Sequence, residues 1–322
     1  MKTKFLICFL ILTLTACSPQ VIVVTATLPP TPLPAFETAT SIPASATPMP
    51  VESAFAPTNP TAAPSIISTS TPLPPVTGMN NPYAVILVLP GDVLNIRSGA
   101  GVGNSIVGTL QPTTSGVMRT GPATSAGGDR WVEIQNPSGG TGWVNANFLT
   151  EYVTSNTFCA DARVTELINN VKSALLNSNG KLLSSLVSPV HGLDLRLWRY
   201  GTVANYSPEE AQWVFQSEYE VSWGAAPGSG EETKGTFTAQ PLPKLKEVFS
   251  ANYSSHCNNP LDLATFSLQP VPPEYSNINY YTIYKPGTEQ YGGLDWRAWI
   301  LGVEYVQGKP TLFSLIHFQW EP

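Results

Sequence analysis

The 322-residue sequence predicts a multidomain protein: a small β-barrel, then an α+β domain in which helices pack on an antiparallel sheet. Three observations carry this. Residues 84–153 break into short alternating runs separated by Gly- and Pro-rich turns, the pattern of a small barrel. Residues 154–322 place helical periodicity first and long alternating strands last, the order of a layered α+β fold. Ahead of both, residues 18–78 hold 14 Pro and 11 Thr among 61 positions, with only Glu37 and Glu52 charged. That stretch cannot bury enough apolar surface to offset its ordering entropy.

The chain opens with Lys2 and Lys4, an apolar block from Phe5 to Leu12, and the residues Leu14, Thr15 and Ala16. This is the layout of a secretory signal peptide over residues 1–16. The block falls short of the roughly 20 apolar residues that span a bilayer. Leu14, Thr15, Ala16 and Cys17 together resemble the lipobox of bacterial lipoproteins. The resemblance implies that Cys17 receives a diacylglycerol on sulfur and, after cleavage, an acyl chain (palmitate or similar) on its amine. Two or more chains anchor a protein stably. The expected location is therefore extracytoplasmic, with the membrane as a partner through lipid at Cys17; Cys8 leaves with the signal peptide. An ordinary signal peptide that leaves Cys17 as a free thiol is the alternative. Residues 17–78 then read as the anchor plus a disordered, extended tether with polyproline character.

In the barrel region, 79–153, "AVILVLP" starts the strands and "VLNIRSGAGVGNSIVGTL" places Leu94 and Ile96 before a Gly-rich bend. "GVMRTG" is short, "RWVEIQ" alternates Trp131 and Glu133 against Val132 and Ile134, and "GGTGWVNANFL" closes the region. Leu94, Asn95, Arg97, Ser98, Gly99, Gly101, Trp131, Gly142, Trp143 and Val144 resemble the pattern of the bacterial SH3-like (SH3b) domain, with Ala100 where the family usually has Pro. The resemblance implies an SH3-like barrel of a kind attached to cell-wall hydrolases and envelope proteins, several of which bind peptidoglycan or its peptide stems. The residues themselves read mostly as structural. Arg97 suits backbone carbonyls, and Gly99 and Gly101 suit backbone angles that other residues resist. Trp131 and Trp143 suit packing. Ligand contacts fall instead to polar groups of the 119–130 loop, Arg119 and Arg130 among them, and to Asn145 or Asn147.

In 154–322, "DARVTELINNVKSALLNSNG" aligns Val164, Leu167, Ile168, Val171 and Leu175 on one helical face, with Asp161 as N-cap and Gly180 as the end. "KLLSSLV" is a shorter helix that stops at Ser188 and Pro189; "LDLRLWRYG" alternates as a strand. Ser207 and Pro208 open a short helix over "SPEEAQWVF", and "PLPKLKEVFSANY" is another. "NINYYTIYKPG" adds a strand beside a hairpin made of "DWRAWILGVEYV", a turn at "QGKP", and "TLFSLIHFQW". The order is reminiscent of cystatin-like folds, in which a curved sheet wraps a long helix. "SPVHGLDLRLW", "QYGGLDWRAW" and "LFSLIHFQW" also resemble an uncharacterised domain of extracytoplasmic bacterial proteins, for which no activity is implied.

Cys159 and Cys257 remain. Outside the cytoplasm, two cysteines in one domain favour a disulfide; the alternatives are free thiols or a nucleophilic Cys159 ahead of a helix. The three histidines, His191, His256 and His317, show no metal-ligand spacing, and no cofactor motif or nucleophile elbow occurs. His191 and Asp194 could meet Glu304 or His317 across the sheet as an acid/base cluster. The plainer reading makes His191 a loop residue, His317 an ordinary strand position, and Asp295, Trp296 and Arg297 the start of a strand. A net charge of −6, a pI near 5.1 and the lack of a basic cluster argue against nucleic acid. The sequence thus favours a lipid-anchored envelope protein with a non-catalytic binding role, toward peptidoglycan or another cell-surface ligand. A wall-modifying or other hydrolase with a catalytic second domain is the runner-up. A spacer or receptor for a partner protein is the third reading.

Overall fold

The computed structural model describes residues 81–259 and 272–321. The signal peptide, Cys17 and the tether expected over 17–78 lie outside the described residues.

Short strands separated by turns build the barrel: β1 (Tyr83–Val85), β2 (Leu94–Arg97), β3 (Ile106–Leu110), β4 (Ser115–Val117), β5 (Arg119–Ala126), β6 (Asp129–Gln135), β7 (Thr141–Asn145) and β8 (Leu149–Glu151). They form a five-stranded sheet, β3-β2-β7-β6-β5, and a three-stranded one, β4-β1-β8. Period-two alternation turns Leu94, Ile96, Val132, Ile134 and Val144 into one apolar core. Arg97 donates from Nη1 to the Asn104 carbonyl at 2.8 Å, the backbone role its sequence context suggests. Gly101 has φ 111°, as expected of a required glycine. Gly99 does not need a special angle; a Cβ there would instead meet the Asn104 side chain at 3.0 Å.

Two expectations change here. Residues 119–130, read as a loop, are mostly strand: β5 and β6 pair around a turn at Gly127 and Gly128, both with positive φ. β5 is an edge strand with no fully buried residue, so it lacks the alternation that marks strands in a sequence. Trp143, assigned to packing, is only half-buried and lies between its cross-strand neighbours Arg97 and Glu133. Trp131 is the packed ring, 3% exposed, with Nε1 donating to the Ala126 carbonyl.

The chain continues through α1 (Ser155–Ala160), α2 (Ala162–Leu176), α3 (Gly180–Leu186), β9 (Leu193–Arg196), β10 (Val203–Tyr206), α4 (Pro208–Trp213), β11 (Val221–Ala225), β12 (Glu232–Gly235), α5 (Pro241–Phe249), β13 (Ser254–Cys257), β14 (Asn279–Lys285), β15 (Arg297–Val306) and β16 (Lys309–Gln319). Asp161 caps α2 through the Arg163 N–H and also accepts from the Arg163 guanidinium and the Tyr305 hydroxyl. Led by the Arg163 hydrogen bond, and against the cost of burial, these hold its carboxyl down at about 2. Gly180 does not end this helix. Asn177 is the C-cap, Ser178 takes the left-handed angle at φ 51°, and Asn179 already caps α3. Gly180 is the first residue of α3. Ser207 and Glu210 form a reciprocal capping box on α4.

The central sheet runs β10-β9-β16-β15-β14-β13, with β11-β12 as a separate hairpin. It is not wholly antiparallel, because β9 and β16 pair in parallel. More than a hundred residues separate these two strands, so no tight turn dictates their direction. β15 and β16 turn on Gln307 and Gly308, both at positive φ, as a two-residue hairpin requires. One face of the sheet, through Trp299, Leu301, Val303 and Leu315, packs on Val164, Leu167 and Val171 of α2 and on Leu245 of α5. The other face carries Ala298, Ile300, Phe313, Ile316 and Phe318. Cys159 and Cys257 are disulfide-bonded, Cα atoms 5.8 Å apart, tying α1 to β13. Closing a loop of this length contributes on the order of 4–5 kcal/mol in the chain-entropy picture.

The barrel and the sheet share one compact unit. Ile86, fully buried just after β1, belongs to the apolar cluster on the sheet's second face beside Tyr275 and Ile278. Polar bonds surround that contact: Leu87 N–H to the Glu274 carbonyl at 2.7 Å, Asn277 Nδ2 to the Val85 carbonyl at 2.8 Å, and Asn279 Nδ2 to the Val153 carbonyl at 2.8 Å. The Glu151 carboxylate at the end of β8 accepts from the Gln307 and Gly308 N–H groups at 2.7 and 2.8 Å, so the barrel holds the hairpin turn.

The two tryptophans should separate in a stability measurement. Trp131→Ala should cost about 3–5 kcal/mol in urea unfolding. Trp143→Ala, which empties no core space, should cost about 1 kcal/mol.

Candidate functional site

Where β8 and the β5–β6 hairpin of the barrel face the end of β15, its turn and the Val190–His191 segment, a cleft of about 580 Å³ opens. Tyr83, Arg119 and Arg130 come to it from the barrel, and His191, Glu304 and Gln307 from the other side. A smaller groove of about 330 Å³ lies on the barrel by Gly116, Met118 and Asn136, and no ionisable side chain lines it.

The floor of the cleft is built on Glu304. It sits in β15 between apolar neighbours and is 3% exposed, so its charge must be met by donors. Four residues supply the setting. Thr150 Oγ1, from β8, donates to Oε2 at 3.1 Å. The Ser188 hydroxyl donates to Oε1 over a short distance. His191 Nδ1 lies 2.8 Å from Oε2 and 2.9 Å from Oε1. Thr311 Oγ1 bonds the Glu304 backbone carbonyl.

Local sequence places the Ser188 and His191 side chains. Ser188 N–H bonds the Leu312 carbonyl, and the Ser188 hydroxyl accepts from the Val190 and His191 N–H groups, a tight turn that swings His191 back toward β15. Gly192 closes the turn with φ 74°; a Cβ there would come within 2.8 Å of the Tyr206 carbonyl. The carboxylate makes Nδ1 the protonated ring nitrogen. Nε2 is buried and has no hydrogen-bond partner among the described residues, while the ring meets Phe313 edge-on.

Of the acid/base candidates, the structure brings His191 directly to Glu304 and leaves Asp194 and His317 out of contact with that carboxylate. Asp194 accepts from the Tyr275 hydroxyl and from Asn205 Nδ2, which also donates to the His191 carbonyl, so Asp194 reaches the His191 turn only through Asn205. His317 lies on the opposite face among Trp198 and Trp299, with Nδ1 at the Leu197 carbonyl. Burial, with help from Lys244, pushes it down to about 3, so it is neutral at any ordinary pH. Asp295 bonds Thr288 in the loop before β15. Among the described residues no three His, Cys, Asp or Glu side chains gather to hold a metal ion.

Arg119 and Arg130 both line the cleft. Arg119 lies over the Tyr83 ring at 5.3 Å and donates to its hydroxyl at 3.1 Å. Arg130 is exposed, and its side chain makes no hydrogen bond or ion pair among the described residues. Asn145 and Asn147 do not line it: Asn145 Oδ1 accepts from the Asn147 N–H, capping a short 3-10 turn (Ala146–Phe148), and Asn147 is exposed. Tyr83, Thr150, Glu151 and Ser188 escape a reading of the sequence, because nothing local distinguishes them. Glu304 has a visible signal: it is the one charged residue within "WILGVEYV".

The Thr150–Glu304 bond joins residues 154 apart across the two halves of the molecule. Glu304→Ala should cost about 3–5 kcal/mol, since it strands His191, Ser188 and Thr150. A double-mutant cycle with Thr150→Val should give a coupling of about 1 kcal/mol by urea unfolding.

Residues 92–150 match the bacterial SH3 domain family. No curated protein and no solved structure matches the chain.

Proposed function

We propose that this is an extracytoplasmic binding protein, held on the membrane by lipid at Cys17, whose ligand occupies the cleft between the SH3 barrel and the central sheet. Peptidoglycan is the ligand proposed. The observation that carries the binding reading is the cleft itself, with barrel residues Arg119 and Arg130 on one side and His191 and Glu304 on the other. Bacterial SH3 domains are commonly cell-wall-binding modules, which is consistent with a ligand-binding role. The proposed location rests on Leu14, Thr15, Ala16 and Cys17, and the Cys159–Cys257 bond suits an oxidising compartment. The second half, read as a cystatin-like sheet wrapped on α2, supplies the other wall of the site.

A hydrolytic reading has one observation in its favour, the carboxylate-oriented His191 with a free Nε2. Two others count against it. Nε2 is covered, and the Ser188 hydroxyl is spent on Glu304 and two backbone N–H groups rather than presented to the imidazole. Binding without chemistry fits this arrangement better.

Two measurements test the proposal. Metabolic labelling with a palmitate analogue should mark the wild-type protein and not Cys17→Ser; equal labelling removes the anchor. The protein lacking its anchor, with barrel and sheet both present, should sediment with purified peptidoglycan and release no soluble fragments. Arg130→Ala should weaken retention about tenfold without changing the unfolding midpoint. Folded protein that stays in the supernatant at low salt removes the wall-binding reading.

A further inference from the structure

The arginines of this protein divide into two groups. Arg163 pairs with Asp161, Arg196 with Glu274, Arg199 with Glu321 at 3.1 Å, and Arg297 approaches Glu247 at 3.9 Å. In the barrel, Arg97 is spent on the Asn104 carbonyl. Arg119 and Arg130 alone among the described arginines have neither a carboxylate partner nor a role confined to one bend, and both line the same cleft. The chain carries 22 acidic residues against 16 Lys and Arg, so carboxylates are not scarce. Two guanidiniums without acid partners in one cleft of an acidic protein are an anion site in waiting. Arg119 is held in place for it: its ring contact and hydrogen bond with Tyr83, and its longer bond to the Gly121 carbonyl, fix the guanidinium plane, and its Nε is buried without a partner.

The charge of the remaining wall narrows the ligand. Glu151 and Glu304 line the same cleft. An extended polyanion would carry negative charge past both carboxylates, at a cost in repulsion. A ligand with a single anionic end, and N–H donors or an amine behind it, meets each wall with the opposite charge or with donors. Carboxylate is also the group that a planar guanidinium binds bidentately. We propose that the cleft binds a short peptide by its free C-terminal carboxylate, gripped by Arg130 and Arg119, with the peptide's donors turned toward Glu151. This rests on the cleft being the ligand site of the proposed function and names the ligand's chemistry there. The composite wall also means that the barrel needs the sheet beside it to make the site, since Glu304 and Gln307 come from the β15–β16 hairpin.

The test uses the anchor-free protein with barrel and sheet intact, and trialanine as the probe. Binding is followed by calorimetry and by the ¹⁵N shift of the arginine Nε–H groups. Trialanine should bind and should move an arginine Nε resonance that Arg130→Gln removes. Trialanine amide should bind at least about tenfold more weakly, and Arg130→Gln should erase that difference. Arg130→Lys should keep part of it, because charge survives while the fork is lost. The exposed Arg130 side chain makes no hydrogen bond or ion pair among the described residues, so its variants report on binding, with the unfolding midpoint as the check that the fold is kept. Absence of trialanine binding, equal binding of acid and amide, or an unchanged preference in Arg130→Gln overturns the proposal. Glycerol phosphate binding more tightly than trialanine also overturns it, in favour of a phosphate site. Sedimentation with peptidoglycan that persists while trialanine fails would sink only this inference. Trialanine binding without sedimentation would sink only the wall-ligand reading.

Discussion

A buried carboxylate organises the molecule. Glu304 lies at 3% exposure in a strand buried along nearly its whole length, where an unmatched charge would cost several kcal/mol. Its donors come from two places in the chain: Thr150 at the end of the barrel, and Ser188 and His191 from the turn after α3. Each donor is useful only when the other parts are in place. The requirement therefore fixes the barrel against the sheet and bends the Ser188–Gly192 turn back onto β15. It also leaves the cleft where these three pieces meet.

Glu151 repeats this logic one residue after Thr150. Its two oxygens accept the N–H groups of Gln307 and Gly308, so adjacent residues of β8 grip the interior and the tip of the same hairpin. Between these polar clamps and the buried Ile86, the barrel loses the independence that a bead on a tether would have. The SH3-matching segment in this setting contributes one wall of the cleft, and the sheet contributes the other.

The fold was legible wherever a pattern was local. Asp161 and Ser207 announce helix starts because a cap needs only three or four neighbouring residues. The β15–β16 hairpin is legible from alternation on both sides of Gln307 and Gly308. Gly180 misleads for the same local reason: a glycine after a helix resembles a stop, but here Asn177 to Asn179 end one helix and cap the next. The edge strand β5 was hidden because only one neighbour pairs with it and no apolar face is demanded. Of the cleft, the meeting of His191 with Glu304 is one of the pairings the sequence leaves open, but that Arg119 and Arg130 face them is not legible in it.

By itself the sequence determined the short-stranded barrel, the helical start and hairpin end of the second half and the N-caps of α2 and α4, and it favoured the pairing of Cys159 with Cys257. Each depends on composition, periodicity or count. The tertiary structure alone decided that β9 runs parallel to β16, that Trp131 is buried while Trp143 is only half-buried, and that His317 and His191 lie on opposite faces of one sheet. It also decided that Arg119 and Arg130 face His191 and Glu304 across one cleft. The physical reason is distance along the chain. The Thr150–Glu304 contact spans 154 residues, and no local pattern encodes which of many buried positions will receive a donor from so far away.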